Sequence, residues 1–319
     1  MKRLFLFVLS ILPFFLSAQN QPLRNQVAHL LKTHQYDRAE KILQQHQDRP
    51  DALYYLGVVE LLKGNWDKAI DAAEKGAKVV MPDSSKARFY DLLGDIYAVK
   101  AQNSGMLSLI FIIGKIKKNW QRAIEYDSAR ISAYQKLFSF YLMAPGFAGG
   151  DKDKALNIAR KVLTFNSPLG QTMLGQYYQK EKKYDLAEQA FKKALHLAPD
   201  SINVLKEAAY FYLRIKNYPR SRKLFAKIVS LKPQSPLAYD ALSDWYLEAG
   251  KKDSALIVLN KAIALDSLNQ QIIFKKARVL ADLGQFEASR SLCNKLLRQE
   301  MFFSLRDQIN LFLKKIKDK

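Results

Sequence analysis

The chain has 319 residues, of which 49% are hydrophobic and 25% charged, a composition that predicts a folded protein and excludes a disordered one. Its formal net charge of +21 favours acidic partners such as anionic lipids, acidic polymers, acidic proteins or nucleic acid. Cys293 is the only cysteine, which excludes an intramolecular disulfide.

The first 18 residues have the pattern of a secretory signal peptide. Lys2 and Arg3 precede an uncharged run from Leu4 to Leu16, and the small residue Ala18 stands before the expected cleavage site. The alternative is an uncleaved anchor, but the run is shorter than the roughly 20 residues that span a bilayer. We expect export to the periplasm or cell envelope. The mature chain would keep 49 basic and 30 acidic residues, a formal charge of +19.

Two helix–turn–helix units are predicted next along the chain. The first is short and covers residues 22–48, with Tyr36 and Ala39 as its clearest marks. The second covers residues 51–82, and its small, aromatic and turn residues lie at helical spacing: Leu56, Gly57, Gly64, Trp66, Ala69, Ala73 and Pro82.

A third unit carries an insert of about ten residues near 98–119. Its aromatic residues Tyr97 and Trp120 are 23 apart, whereas the matching pair in a regular unit, Tyr178 and Phe191, is 13 apart. Segment 105–114 of this insert is the most apolar part of the mature chain and precedes a group of lysines. The candidate contact residues in it are Leu109, Ile110 and Phe111, and the lysines are Lys115, Lys117 and Lys118.

Three interpretations of segment 105–114 remain open. It is an extended second helix packed on neighbouring repeats, an apolar face for a partner protein, or a segment that enters a membrane surface beside its lysines. It is too short to span a bilayer.

A fourth unit has a turn about five residues longer than usual, at 142–151. Tyr141 and Ala155 are 14 apart here, against 9 for the regular pair Tyr178 and Ala187. We expect one of the two glycines at 149 and 150 to take a positive φ and the aspartate at 151 to cap the next helix. A phosphate loop is not expected, because no Lys-Ser or Lys-Thr follows the glycines. Phe147 in this turn is a candidate partner contact.

Residues 169–233 repeat one pattern at a spacing of 34. Tyr178 and Tyr212, Phe191 and Phe225, and Pro199 and Pro233 are each 34 apart. A fixed period of this length indicates stacked helix–turn–helix units rather than one closed core. A further unit follows at 236–267 and a weaker one at 270–299. In the weaker unit Cys293 stands at the place of the repeated phenylalanine, so we expect a buried packing residue.

The repeated residues resemble the tetratricopeptide repeat family, most clearly Leu174, Gly175, Tyr178, Ala187, Phe191, Ala194 and Pro199. The resemblance implies an all-α fold: a right-handed α-solenoid of about eight helix–turn–helix repeats over residues 19–300, with the inserts described above. The apolar face of the last segment, 301–319, predicts a C-terminal capping helix.

In the resembled family, the first helices of successive repeats line a concave groove that holds peptides or helices. Carried over, the groove positions are Tyr54, Val58, Asp91, Asp95, Gln135, Ser139, Thr172, Gln176, Lys206, Tyr210, Arg214, Asp240, Asp244, Phe274 and Arg278. The last seven are the candidate partner-binding residues of the groove. The alternative for four of them is that Lys206 and Arg214 neutralise Asp240 and Asp244 between neighbouring repeats.

The sequence contains no metal-binding histidine spacing, no nucleophile elbow and no dinucleotide fingerprint. We therefore expect a non-enzymatic scaffold without cofactor or metal that binds a protein or peptide partner. Nucleic acid is not expected, because the lysines are spread over most helices and the chain is predicted to be exported. The alternatives are a peripheral binder of anionic membrane or envelope polymer and an accessory subunit of an enzyme complex.

Overall fold

The computed structural model describes residues 21–317, which contain seventeen α-helices and no strand. The predicted signal peptide, residues 1–18, lies outside the described part of the chain. The fold divides into two compact units, unit 1 ending at Ile158 and unit 2 beginning at Ala159. The boundary falls inside α8, Lys152–Phe165.

The helices of unit 1 before this boundary are α1 Gln21–Lys32, α2 Tyr36–Gln44, α3 Pro50–Lys63, α4 Trp66–Lys78, α5 Asp83–Gln102, α6 Met106–Tyr126 and α7 Ile131–Met143. A short 3-10 helix, Gly146–Ala148, follows α7. The helices of unit 2 after the boundary are α9 Ser167–Lys180, α10 Tyr184–Leu197, α11 Ile202–Arg214, α12 Tyr218–Leu231, α13 Pro236–Glu248, α14 Lys252–Leu265, α15 Gln270–Asp282, α16 Phe286–Leu297 and α17 Phe303–Lys315.

Consecutive helices pack as pairs, and each pair packs on the next within its unit. In unit 1, α3 packs on α4 and α5 on α6, with α4 against α5 between the pairs. In unit 2 the pairs from α9–α10 to α15–α16 follow the same scheme. Stacked helical pairs confirm the predicted all-α, α-solenoid class. The division into about eight repeats stays a prediction.

Small residues at two facing repeat positions let the helices of a pair approach closely. The first helices of unit 2 place Gly175, Ala209, Ser243 and Ala277 at one position, and the second helices place Ala187, Ser221, Ala255 and Ser289 at the other. All eight are buried. A Cβ on Gly175 would stand 2.8 Å from the Phe191 ring, so a larger side chain has no room there. Ser221 and Ser289 each donate their hydroxyl to the first helix, to the carbonyls of Ala209 and Ala277 at 2.9 and 2.7 Å.

Aromatic side chains fill the space that the small residues leave. Phe191 packs on Phe211 with ring centroids 4.9 Å apart, and Phe225 meets Tyr210 edge to face at 5.1 Å. Phe191, Phe211 and Phe225 are all at most 1% exposed. The repeated aromatics are therefore core residues and do not form a ligand site.

Cys293 is completely buried in α16, which confirms the predicted packing role. Burial raises the pKa of its thiol to about 11, so the group stays protonated at neutral pH. It packs with Leu296 against Leu305 and Ile309 of α17. The terminal helix thus covers the apolar face of the last pair, and its basic residues Lys314 and Lys315 stand at its carboxyl end, where they suit the helix dipole.

The insert in the third unit lengthens both helices of its pair. Helices α5 and α6 have 20 and 21 residues, whereas the helices from α9 to α16 have 12 to 14. The sequence predicted an extension of the second helix alone as one possibility. The two lengthened helices pack on each other, and Ile112, Ile113 and Ile116 of α6 are buried.

The long turn before α8 has the predicted local structure. Gly149 has φ +79°, and a Cβ on Gly150 would stand 1.8 Å from the Ala144 carbonyl oxygen, so both positions favour glycine for different reasons. Asp151 accepts a hydrogen bond from the Lys154 backbone N–H at 3.0 Å and caps α8.

We expect Phe225→Ala to lower the free energy of unfolding by about 3 to 5 kcal/mol, because it leaves a cavity between two helical pairs. The matched control is Leu237→Ala, at a side chain that is 63% exposed, and it should change stability by no more than about 0.5 kcal/mol. Urea denaturation followed by circular dichroism measures both. Equal effects of the two substitutions would show that Phe225 is not a packing centre.

Candidate functional site

A polar row joins the first helices of three consecutive pairs in unit 2. Tyr210 on α11 donates its hydroxyl proton to the carboxylate of Asp244 on α13 at 2.6 Å. Lys275 on α15 lies 2.5 Å from an oxygen of Asp240 and 2.8 Å from an oxygen of Asp244. We call these four residues the unit 2 polar row. It fixes the spacing of neighbouring first helices with charged hydrogen bonds.

Burial dominates the electrostatics of this row. Burial raises the pKa of Asp240, and the Lys275 ammonium offsets only part of that rise. Burial alone would lower the pKa of Lys275, but the two carboxylates raise it above its ordinary value. Burial and the neighbouring Asp244 raise the pKa of Tyr210, which keeps its phenol protonated as a donor.

The proposed neutralisation of Asp240 and Asp244 by Lys206 and Arg214 is wrong. The cation that contacts both carboxylates is Lys275, one repeat further along the chain. A long lysine at this position reaches back to both acids, whereas Lys206 and Arg214 lie on the preceding first helix, from which Tyr210 makes the contact.

Three of the predicted groove cations are accessible or partly accessible. Arg214 and Arg278 are exposed, and Lys206 is half-buried. None of the three forms an ion pair within 4.0 Å in the described part of the chain, and Asp240 and Asp244 are held by Lys275. These three groove cations of unit 2 therefore have no carboxylate among the described residues close enough to neutralise their charge.

Phe274 does not fit the predicted role of a partner contact. Its side chain is 5% exposed and meets Phe312 of α17 edge to face at 5.6 Å. The groove position was assigned from the repeat spacing, but in the last pair the terminal helix covers that face and buries the ring.

Unit 1 contains a second charge cluster, formed by residues of α5, α6 and α7 and by Arg130 just before α7. Lys136 lies 2.7 Å from an oxygen of Asp91 and 2.6 Å from an oxygen of Asp95. Arg130 pairs with Asp91 at 3.1 Å, and the indole N–H of Trp120 donates to Asp95 at 3.2 Å. We call these five residues the unit 1 charge cluster. Both carboxylates are at most 7% exposed, so the cluster stands beneath the surface.

The two aspartates of this cluster differ in pKa. Burial raises the pKa of Asp95 to about 6, because Lys136 is shared and only partly offsets the loss of water. Burial also acts on Asp91, but Lys136 and Arg130 together hold its pKa below the ordinary value. Asp91 is thus the fixed anion of the cluster and Asp95 the group that gains a proton on mild acidification.

The two units use the same repeat positions for these acids and lysines. Asp91 and Asp240 stand two residues before the Leu of their own repeats, Leu93 and Leu242, and the second aspartate follows four residues later in each. The lysine of each cluster lies in the next repeat along the chain, one residue before the position that corresponds to this leucine. The sequence carried this signal, an Asp-x3-Asp pair answered by a lysine one repeat on. Comparing acids and bases between repeats, rather than within one helix, would have found it.

The predicted contact residues of the insert form a separate surface in unit 1. The exposed fractions of the side chains are 68% for Ile110, 78% for Phe111 and 81% for Phe147, whereas Leu109 is half-buried. The turn that carries Phe147 packs on α6, since a Cβ on Gly149 would stand 3.2 Å from Ile113. We call Ile110, Phe111 and Phe147 the α6 ledge. This part of α6 is therefore exposed at Ile110 and Phe111 and buried at Ile112 and Ile113.

Within residues 21–317 no group of three or more His, Cys, Asp or Glu side chains could hold a metal ion. Over the same range, no helix has the length and apolar character needed to cross a membrane.

The architecture and the two clusters define a class, a helical-repeat protein whose neighbouring first helices are joined by polar and charged side chains. Two family models described as tetratricopeptide repeat match the chain, over residues 26–81 and 178–244. Both matched stretches therefore carry tetratricopeptide repeats, as the sequence pattern predicted.

Curated relatives share this repeat pattern at low identity. The chain is 22% identical to the BBSome complex member BBS4 of Bos taurus over 258 residues, 79% of this chain and 46% of that protein. It is 24% identical to the DnaJ homolog subfamily C member 3 of Gallus gallus over 218 residues, 62% of this chain and 42% of that protein. The chain spans less than half the length of both relatives.

Among solved structures, the crystal structure of yeast Tom70 matches with a TM-score of 0.60 and 13% identity, over 89% of this chain and 59% of that one. This likeness shows the fold. The repeat family and the relatives together support a scaffold that interacts with other proteins.

We expect Asp95→Asn to change how stability depends on pH. The folded pKa of Asp95 is about 6, above the ordinary value near 3.9, so the native protein binds the proton more tightly than the unfolded chain. The wild type therefore loses stability from this group as pH rises from about 4 to about 6, by roughly 2 to 3 kcal/mol. The amide does not titrate and escapes this loss.

Urea denaturation of both proteins at several pH values from 4 to 7 measures the effect. The stability of Asp95→Asn relative to wild type should rise across this interval and stay constant above it. The control is Asp67→Asn, at a carboxylate that is 89% exposed beside Lys100, and its relative stability should change by less than about 1 kcal/mol. A flat difference for Asp95→Asn would contradict the assignment.

Proposed function

We propose that the chain is a non-enzymatic scaffold of the periplasm or cell envelope that holds an acidic, extended segment of a partner protein on the first-helix surface of unit 2. The binding residues are Lys206, Arg214 and Arg278. The unit 2 polar row lies among them and fixes the helices that carry them.

The observation that carries this proposal is the separation of paired and unpaired charge. Asp240 and Asp244 are held by Lys275, so they do not neutralise the neighbouring cations. Arg214 and Arg278 extend from two first helices without an ion-pair partner in the described residues. Guanidinium groups in this state bind carboxylates through paired hydrogen bonds, and an extended segment with several carboxylates can meet more than one of them.

The rigidity of the stacked pairs supports the affinity of such a surface. Its cations are placed by helices whose positions are set by buried contacts, so little of the protein has to become ordered when the partner binds. One of the relatives is named as a member of a complex, which agrees with a role in assembly. A scaffold role needs a surface of this kind and no catalytic group.

We expect the triple variant Lys206→Glu, Arg214→Glu, Arg278→Glu to bind a fluorescent glutamate-rich peptide roughly tenfold or more weakly than wild type. The substitutions reverse three charges where the peptide carboxylates would lie. Fluorescence anisotropy at low salt measures the affinity, and the wild-type affinity should fall as salt rises, because exposed charges are screened.

The matched control reverses three exposed lysines on second helices of the same unit, Lys193→Glu, Lys223→Glu and Lys261→Glu. It changes net charge equally and should keep most of the binding. If both triple variants lose binding to the same extent, net charge and not the first-helix surface attracts the peptide, and the proposed site is wrong.

The proposed location depends on the first 18 residues. We expect the chain to be cut after Ala18 when it is made in a Gram-negative bacterium, so that the protein recovered from the periplasmic or envelope fraction begins at Gln19. Intact-mass spectrometry measures the new end, and Ala18→Phe should block the cut by placing a large ring at the cleavage position. An uncut wild-type chain in the cytoplasmic fraction would contradict export.

A further inference from the structure

We propose that the α6 ledge of unit 1 docks on an anionic lipid bilayer surface, so that the chain is a peripheral membrane protein as well as a scaffold. This proposal goes beyond the binding of a peptide on unit 2 and rests on different residues. The ledge consists of Ile110 and Phe111 on α6 and Phe147 on the turn beside it.

The ledge is apolar where it is most exposed. Phe111 and Phe147 each leave about four fifths of their side-chain surface in water, and Ile110 leaves 68%. Two elements contribute to it and are held together, because the turn around Gly149 packs on Ile113 of α6. An exposed apolar group built from two packed elements indicates an interaction surface.

Cations flank the ledge, and the stretch of α6 that precedes Glu125 contains no acid. Lys115 and Lys118 follow Phe111 by four and seven residues, so the three side chains share one face of α6, and both lysines are exposed. No Asp or Glu occurs in the sequence between Asp95 and Glu125. An apolar tip with a basic border and no acid complements an anionic interface, where apolar side chains enter the acyl boundary and lysines meet lipid phosphates.

The shape of the ledge favours a bilayer over a protein partner. Residues that dominate protein interfaces fill pockets or offer pockets to the partner, and they lose nearly all contact with water. Phe111 and Phe147 instead leave 78% and 81% of their surface in water. A bilayer interface needs no complementary shape. Helix α6 lies on the surface in this arrangement, since its opposite side, with Ile112, Ile113 and Ile116, is buried in the fold.

The test compares full-chain variants for binding to vesicles of equal parts phosphatidylcholine and phosphatidylglycerol. The apolar variant combines Ile110→Ser, Phe111→Ser and Phe147→Ser, and its partition onto these vesicles should fall roughly tenfold or more below that of the wild type. The basic variant, Lys115→Gln with Lys118→Gln, should lose roughly tenfold or more on the same vesicles and little on phosphatidylcholine alone. Co-sedimentation measures both, and the apolar leader, common to every variant, cancels in the comparison.

The matched control removes three exposed apolar side chains of unit 2 by Leu197→Ser, Leu237→Ser and Ile257→Ser, whose exposed fractions are 50%, 63% and 69%. It should partition like wild type. A fourth variant, Phe111→Trp, keeps the apolar character and should bind as well as wild type. Its emission should shift to the blue on anionic vesicles, which reports entry of the ring into the interface.

The proposal is overturned if the apolar variant partitions like wild type, if the unit 2 control loses as much, or if Phe111→Trp shows no shift. A ledge variant that binds vesicles normally but no longer binds a purified protein partner would assign the ledge to protein binding instead. Binding of the glutamate-rich peptide should be unchanged in every ledge variant. That measurement separates a failure of the membrane proposal from a failure of the proposed groove.

Discussion

The structure depends on the close approach of two helices within each pair. This approach requires a small residue at one position of the first helix and another at the facing position of the second, as with Gly175 and Ala187. Once the backbones are that close, an aromatic ring such as Phe191 can close the remaining space and touch the next pair as well. A single pair buries only part of its apolar surface, so stability comes from stacking, and the contact pattern repeats with the sequence.

In such a fold the first helices carry a polar face, and its charged side chains must be paired without disturbing the contacts between stacked helices. Both units solve this with two aspartates four residues apart and a lysine from the next first helix. The lysine contacts two carboxylates at once, so it ties neighbouring repeats together and compensates both aspartates. Because buried ion pairs lose much of their Coulomb energy to desolvation, the gain is in the placement of helices more than in net stability. Cations elsewhere on the surface then stay available to partners.

The sequence was sufficient for the fold because the fold is periodic. Spacings of 34 residues assign Phe191, Phe225 and Cys293 to the core, and all three are buried. The same reasoning was less successful for the site, because spacing gives the direction of a side chain and not what covers it. Phe274 has a groove position, yet the terminal helix buries it. The lysine that pairs with Asp240 and Asp244 stands one repeat further along the chain, so it is recognised only when the two aspartates of one repeat are compared with the basic residues of the next.

The places where the 34-residue spacing fails could be located in the sequence, but the structure formed at each place depended on packing. An insert of ten residues can form a loop, a longer second helix or a longer pair. Here α6 packs on α5, and both helices of the pair are longer than the regular ones. A lengthened pair extends past its neighbours, so its far end has no next repeat to cover it, and apolar side chains on its outer face stay in water. The exposure of Phe111 therefore follows from the same stacking rule that buries Phe191: a ring in this fold is covered only where a neighbouring repeat reaches it. Aromatic rings that no neighbouring repeat covers are accessible to molecules outside the chain.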